Sequence, residues 1–455
     1  NGGITNDLYI TDPAELQGGV SKIEPKAIPT RLSTAHTRLH ASQFYMNHAY
    51  KIGYWQEQKV NDTLTRQIYI PVVKFIYAFD WRQGRHKFIN RDAAEARDFW
   101  RNTYFDETES NDRTSYSALA NTLGVQMMEG FKPWVKFSLS AYLTYENRRY
   151  TQYRPDSLIG TSLSPLPEYY GSIKHKASQN LLWVGGRLEK TNGRHFTYSA
   201  DARFGILADV AADMRLAGEA KARYRLLGDT VTVAASIGFR NEEPSYLLNH
   251  YVSNHFIWEN NFGKTRVFNI GGKIISPRTN TSVEVDFRNV QNMIYFDTLS
   301  MPRQAGKSIH VFTARLNQNF RIGIWNWNNT LTFQTSSDKT LLPLPALSVY
   351  SNMFLDFRAF RVLHLQIGVD CDYYTRYTAY AYQPATTAFR LGDGTKVGNY
   401  AFCNAYVTAK LYRCRFFVLW SHVNQGWFGT NYFYMPGYPM NPRRLQFGLS
   451  VDFAN

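Results

Sequence analysis

The 455-residue sequence has no apolar run near the ~18 residues that a membrane-spanning helix requires. Its densest stretch, Phe416-Phe417-Val418-Leu419-Trp420, is only five residues long, which excludes a helical membrane protein. Charge is scarce as well: Asp, Glu, Lys and Arg make up 19% of the residues, against about 25% in an ordinary soluble domain. Cysteine is almost absent. Cys371, Cys403 and Cys414 are an odd set with no C-x-x-C spacing and no histidine pair nearby, so neither a disulfide framework nor a structural zinc site is expected. No Lys/Arg tract marks a nucleic-acid module, and no nucleophile, base and orienting group come together along the chain. The expectation is a non-enzyme with no cofactor, no metal and no nucleic-acid partner.

Aromatic residues supply what charge does not. They reach 16%, with 31 Tyr and 30 Phe, and they recur with polar residues between them, so that mean hydropathy stays at -0.39. That pattern excludes disorder, collagen and coiled coil. The net charge of +15 fits anionic headgroups or an anion-attracting channel, because the basic residues recur singly between apolar ones.

The strongest signal is a two-residue period sustained over ten or more positions, longer than the ~5–6 residues of a typical soluble strand. Between Trp134 and Tyr145, Val135, Phe137, Leu139, Ala141, Leu143 and Tyr145 share one side, and Lys136, Ser138, Ser140, Tyr142 and Thr144 the other. From Ala212 to Leu226, Met214, Leu216, Gly218, Ala220, Ala222 and Tyr224 oppose Asp213, Arg215, Glu219, Lys221, Arg223 and Arg225. The same alternation sets Val231 to Phe239 against Thr230 to Arg240, and Val283, Val285 and Phe287 against Glu284, Asp286 and Arg288; it ends with Leu445 to Phe453 against Arg444 to Asp452. A soluble sandwich does not hold such dense charge opposite one apolar face for so many steps. A tilted strand crosses a bilayer in about 9–11 residues, and lipid forbids unpaired backbone, so the strands must close. The fold class expected is all-β: a transmembrane antiparallel β-barrel of about 17–18 strands over residues 38–455, with 1–37 an extracellular loop or N-terminal extension.

Turn lengths orient it. Short connections at Gly130–Pro133, Lys190–Gly193, Leu227–Asp229, Arg321–Gly323, Ala359–Arg361 and Tyr412–Arg413 alternate with long ones at Gln83–Arg113, Thr151–Lys176, Asn241–Asn254, Ser337–Leu347, Thr378–Val397 and Gln425–Pro442. Such barrels have short periplasmic turns and long outer loops. The first strand, near Leu39 to Trp55, then runs inward from outside. A count near 17 is odd, whereas single-chain barrels of this type have an even number. The reading therefore expects a further strand N-terminal to Asn1, or one lent by another chain.

Several stretches carry a resemblance. WENNFGK (Trp258 to Lys264), NMIYFDTLSMPRQ (Asn292 to Gln304), LLPLPALSVYSNMF (Leu341 to Phe354), GVDCDYYTRYTAYAYQPATTAF (Gly368 to Phe389) and HVNQGWFGTNYFYMPGYPMNPRRLQFGLSVDF (His422 to Phe453) resemble the "putative porin" family of Bacteroidota outer membranes. NGGI (Asn1 to Ile4) and IYIPVVKFIYAFDW (Ile68 to Trp81) fit it less specifically. The resemblance implies a barrel in the outer membrane of a Gram-negative bacterium and brings no catalytic motif or ligand.

The expected function is a porin-like channel for passive or gated passage of small hydrophilic solutes; the alternative is a non-transporting accessory barrel in a larger outer-membrane complex. A ligand-gated importer would need a globular plug larger than Asn1 to Arg38. The candidate lumen residues are Lys136, Asp201, Arg203, Asp213, Arg215, Glu219, Lys221, Arg223, Arg225, Glu284, Asp286, Arg288, Arg315, Asp370, Asp372, Lys410 and Arg415. Ten are basic and seven acidic, which implies weak anion selectivity; cross-strand pairing that merely fills the lumen is the equal alternative. Trp427, Phe428, Tyr432, Phe433, Tyr434 and Tyr438 could stack on sugar rings or cover the mouth, but packing within their own loop is favoured. Trp325 and Trp327 read as interfacial girdle. The three cysteines share faces with Ile367 and Val369, Ala405 and Val407, and Phe416 and Val418, so each is expected to meet lipid as an inert small hydrophobe. Phe453 closes the last strand and resembles the signal read by the barrel-assembly machinery. That machinery, outer-membrane lipid with lipopolysaccharide, and other outer-membrane proteins in a complex are the expected partners.

Overall fold

The structure, a computed structural model, describes residues 30–61, 64–91, 99–207, 210–226, 228–427 and 432–453. Most of the 1–37 extension, and Phe428, lie outside them. The long strands are β1 (His36–Asn61), β2 (Leu64–Asn90), β3 (Ser110–Met127), β4 (Ser138–Thr151), β5 (Lys176–Lys190), β6 (Phe196–Gly205), β7 (Met214–Leu226), β8 (Asp229–Glu242) and β9 (Thr265–Ser276). They continue as β10 (Thr281–Gln291), β11 (Ile309–Ile322), β12 (Trp325–Ser336), β13 (Leu347–Ala359), β14 (Leu363–Tyr374), β15 (Tyr400–Leu411), β16 (Cys414–Ser421) and β17 (Arg444–Val451).

These 17 strands form one sheet. Each pairs antiparallel with its neighbour in sequence, from β1–β2 through β16–β17. A strand of about 12 residues, rising ~3.3 Å per residue and tilted by about 40°, spans roughly 30 Å, the thickness of a hydrocarbon core.

The register keeps the faces separate. Ala202, Leu216, Phe239 and Phe268 lie opposite one another across β6–β9, and Phe333, Leu331 and Trp327 continue that face on β12 against Leu347, Val349 and Met353. Leu123, Leu143, Ile237, Ile274 and Leu449 are all exposed large apolar residues on it. In water this surface would be a severe liability; in lipid it is the solvent-matched face.

Three sequence expectations change. Val135 is not on the outer face: with Trp134 and Lys136 it precedes β4, and it is buried in the β3–β4 turn, where Gly130 N–H donates to its carbonyl and its own N–H to Lys132. The alternation starts three residues later because a turn must first return its backbone bonds locally. The first hairpin is longer than expected, β1 and β2 reaching 26 and 27 residues. Its polar tip, Gln56 to Lys59, stays in the ladder against Ile68 to Thr65, because strand pairing uses backbone groups whatever the side chains are. A bulge at Ile52/Gly53 re-aims this hairpin, and a Cβ on Gly53 would meet the Ile70 carbonyl at 2.0 Å.

The third change concerns cysteine. Cys371 and Cys403 are directly opposite on β14 and β15, with Cα atoms 4.1 Å apart, and form a disulfide. They keep the face shared with Val369 and Ala405, but they are not the inert thiols expected. Cys414 is the free cysteine.

Short connections collect at one rim, where Phe360 and Arg361 both take positive φ and Phe360 is 90% exposed. A tight turn here is normally Asn-Gly; an aromatic in its place fits an interfacial position. Trp325 and Trp327 both follow another turn at this rim, their rings 6.0 Å apart. The long connections, including 243–264 and a loop at 292–308 that the sequence did not announce, gather at the opposite rim.

Candidate functional site: polar wall and loop cap

The face opposite the apolar one carries the candidate lumen residues. Asp201 and Arg203 on β6, Arg215 to Arg225 on β7, Glu284 to Arg288 on β10, Arg315 on β11, Asp370 and Asp372 on β14, Lys410 on β15 and Arg415 on β16 share that parity through the ladders. Two do not belong to it. Lys136 is exposed in the turn before β4. Asp213 sits before β7, buried, where its Oδ1 accepts Lys264 Nζ at 2.5 Å and the Glu243 N–H at 3.0 Å; it braces two loops at the rim.

Some of the charges pair. Glu219 holds Lys221 at 2.8 Å, Glu242 holds Arg215 at 2.5 Å and Glu284 holds Lys273 at 3.3 Å. Asp370 accepts Asn404 Nδ2 at 2.8 Å. Among the described residues, Arg223, Arg225, Arg288 and Arg315 have no carboxylate oxygen within 4 Å.

A network the sequence reading missed lies on β2–β6. Glu146 accepts Arg148 at 2.8 Å and Arg82 at 3.1 Å, and Arg82 also reaches Asp80 at 3.3 Å. Ala118 and Ala120, both buried, leave the space these side chains fill. Arg203 lies over the Trp183 ring at 4.1 Å. Tyr142 crosses Gly185, where any Cβ would strike its ring at 2.3 Å, and donates to Asp201 at 3.2 Å. The signal was present: Glu146 and Arg148 simply continue the parity of Tyr142 and Thr144.

Over the other rim, loops from distant strands meet. One buried cluster joins Leu32 and Ala35 ahead of β1, Phe88 of β2, Trp100 of the β2–β3 loop, Tyr251, Phe256 and Trp258 of the β8–β9 loop, and Ala385 of the β14–β15 loop. The short strands Ile294–Phe296 and Ala388–Arg390 tie the β10–β11 and β14–β15 loops by a parallel bridge, Phe296 to Arg390.

Asn254 is the polar hub. Its Oδ1 accepts the N–H groups of Phe105 and Asp106, both at 3.0 Å, its Nδ2 donates to the Asp106 carbonyl at 2.8 Å, and its own N–H donates to Asp112 at 2.7 Å. His255 stacks on Trp100 at 4.0 Å. Its Nδ1–H donates to the Asn102 carbonyl at 2.9 Å, which leaves Nε2 to accept the Ser110 hydroxyl at 2.6 Å. Burial pushes this imidazole down to about 4.

The last loop divides its aromatics. Tyr432 is only 2% exposed and packs on Tyr400 and His422, so it is not open to a sugar. Trp427 and Tyr434 stay exposed at 67% and 46%. Asp393 and Thr395 form the expected turn, Asp393 Oδ1 accepting the Thr395 N–H at 3.1 Å. Phe453, 87% exposed, lies just past the end of β17.

The family model described as "Putative porin" matches residues 1–455. The chain belongs to that family. No curated protein matches it. Among solved structures, this porin-family chain is similar to a mutant of the ferric enterobactin receptor PfeA from Pseudomonas aeruginosa, with TM-score 0.60 and 12% identity over 91% of this chain and 62% of that one. It is similar to the copper transporter OprC, with TM-score 0.59 and 11% identity over 87% and 61%, and to the siderophore receptor PirA from Acinetobacter baumannii, with TM-score 0.57 and 9% identity over 92% and 63%. The chain thus spans less than two thirds of the length of each. At such identities the likeness speaks for the fold, an outer-membrane β-barrel. Family and fold together place the protein in a Gram-negative outer membrane.

Proposed function

We propose that this barrel is a channel for small hydrophilic solutes, gated by its outer loops and biased toward anions. The observation that carries the reading is the two-faced wall: one parity is apolar strand after strand, and the other holds ionised groups that only water or a polar solute can face at this density. The basic excess on that parity supports an anion bias. The cap supports gating, because its cluster draws on loops from both halves of the sheet, which meet across the mouth rather than along the rim. The exposed Trp427 and Tyr434 are left to contact an arriving solute. Phe453, exposed at the end of the chain's last strand, suits a signal for barrel assembly.

Liposome swelling with sugars and amino acids of graded size tests the channel, and reversal potentials in a KCl gradient test the bias. A swelling rate that falls with solute size and a chloride-side potential are expected. No swelling with any solute, together with a stoichiometric partner on purification, would instead support the accessory-subunit reading.

A further inference from the structure

Three arginines stand side by side on the polar wall. Arg203 of β6 lies directly opposite Arg215 of β7, and Arg215 directly opposite Arg240 of β8. Like charges at directly opposed positions destabilise a sheet, so a row of three needs a counter-charge. The protein supplies one: Glu242 accepts Arg215 through Nε at 3.0 Å and Nη2 at 2.5 Å. The other carboxylates nearby are committed, Asp201 to Tyr142 and Glu146 to Arg82 and Arg148. Among the described residues Arg203 and Arg240 have no carboxylate oxygen within 4 Å. Arg203 instead lies over the Trp183 ring at 4.1 Å, its buried Nε without an acceptor among the described residues.

The row occupies the outer ends of its strands. Near those ends, a cavity of about 1040 Å³ is lined by residues in and next to the β4–β5 and β8–β9 connections, among them Lys174, Lys176, Glu243, Glu259 and Lys264, the last held by Asp213. Planar forks match the paired oxygens of carboxylate and phosphate.

We propose that Arg203, Arg215 and Arg240 form a binding site for a small oxyanion, carboxylate or phosphate, at the outer end of the channel. The proposal rests on the reading that the polar wall borders a water-filled path, and it makes the anion bias local rather than diffuse.

Calorimetry on the full chain in detergent, titrated with inorganic phosphate and separately with citrate, tests it. The expected result is millimolar or tighter binding of at least one anion, weakened tenfold or more in R203Q/R240Q. R240Q alone, at an exposed side chain, gives a partial loss and serves if the double variant does not fold. R361Q, which removes the same charge in the turn at the opposite rim, is expected to bind as the parent does. Equal weakening by R361Q, or no binding of either anion by the folded parent, overturns the site. Bilayer conductance separates the two claims: conduction without binding sinks the site alone, and binding without conduction sinks the channel reading alone. Preference between phosphate and citrate identifies the oxyanion.

Discussion

Phe239, on the outer face of β8, and Phe256, in the loop that follows, are the same residue type in opposite surroundings. Phe239 continues a row with Leu216 and Phe268 that faces away from the polar wall, and its stability comes from lipid. Phe256 is buried against Trp100 in a protein-built core of loop residues. The wall is therefore stabilised by its solvent and by a ladder of backbone bonds, in which one residue more or less matters little. The cap is stabilised as a small globular domain is, by mutual burial and by polar hubs such as Asn254, in which one residue matters a great deal.

The largest effect is expected in the cap. Asn254→Ala would leave the N–H groups of Phe105 and Asp106 without their shared acceptor, costing about 2–6 kcal/mol at ~1–3 kcal/mol per group. Limited proteolysis should then cut within 243–264 while the barrel band stays heat-modifiable on a gel; an unchanged digestion pattern would mean that the cap does not depend on this hub. Next is the disulfide, which closes a sequence separation of 32 residues between β14 and β15. Cys371→Ser with Cys403→Ser should lower resistance to denaturant by about 3 kcal/mol, and equal midpoints with and without reductant would remove it as a brace.

The wall is probed by a pair. Ile237→Arg puts a charge on the lipid face and should cost about 2–3 kcal/mol near the bilayer centre, whereas the adjacent Ser236→Arg, on the polar face beside Glu219, should cost under about 0.5 kcal/mol. Folding titrations in lipid that gave equal costs would erase the distinction between faces.

The last effect is with pH, and it is absent at neutrality. His255 is held neutral, at about 4 against an ordinary 6.5. The unfolded cap therefore binds more protons between those values, so its stability is complete above about pH 6.5 and drains away as pH falls toward 4. Hydrogen exchange in 243–264 should quicken over that interval in the parent and not in His255→Gln. The same acceleration in both would place the sensitivity elsewhere.

Much of the wall was legible because a two-residue period survives any error in where a strand begins. Leu139 and Leu216 were assignable to the outer face, and Arg215 and Asp286 to the inner one, without knowing a single pairing. The errors fall at strand ends: Val135 and Lys136 belong to a turn, Asp213 to a rim, and Glu146 with Arg148 to a strand extended too short a distance. At those positions local backbone bonding competes with the rhythm, and the rhythm alone does not say which wins. The cap and the disulfide were not legible at all. Cys371 and Cys403 are separated by a long loop, and their opposition is a matter of register; Trp100, Trp258 and Ala385 meet only because the sheet curves and brings its loops together.

By itself, then, the amino-acid order determined a membrane barrel with a greasy side, a wet side and two unlike rims, since period and turn length are local properties. What only the folded chain decided is which charges stand next to which. Arg203, Arg215 and Arg240 become a row through strand register, and Asn254 becomes a hub through loop convergence, both set by contacts between residues that the sequence keeps apart.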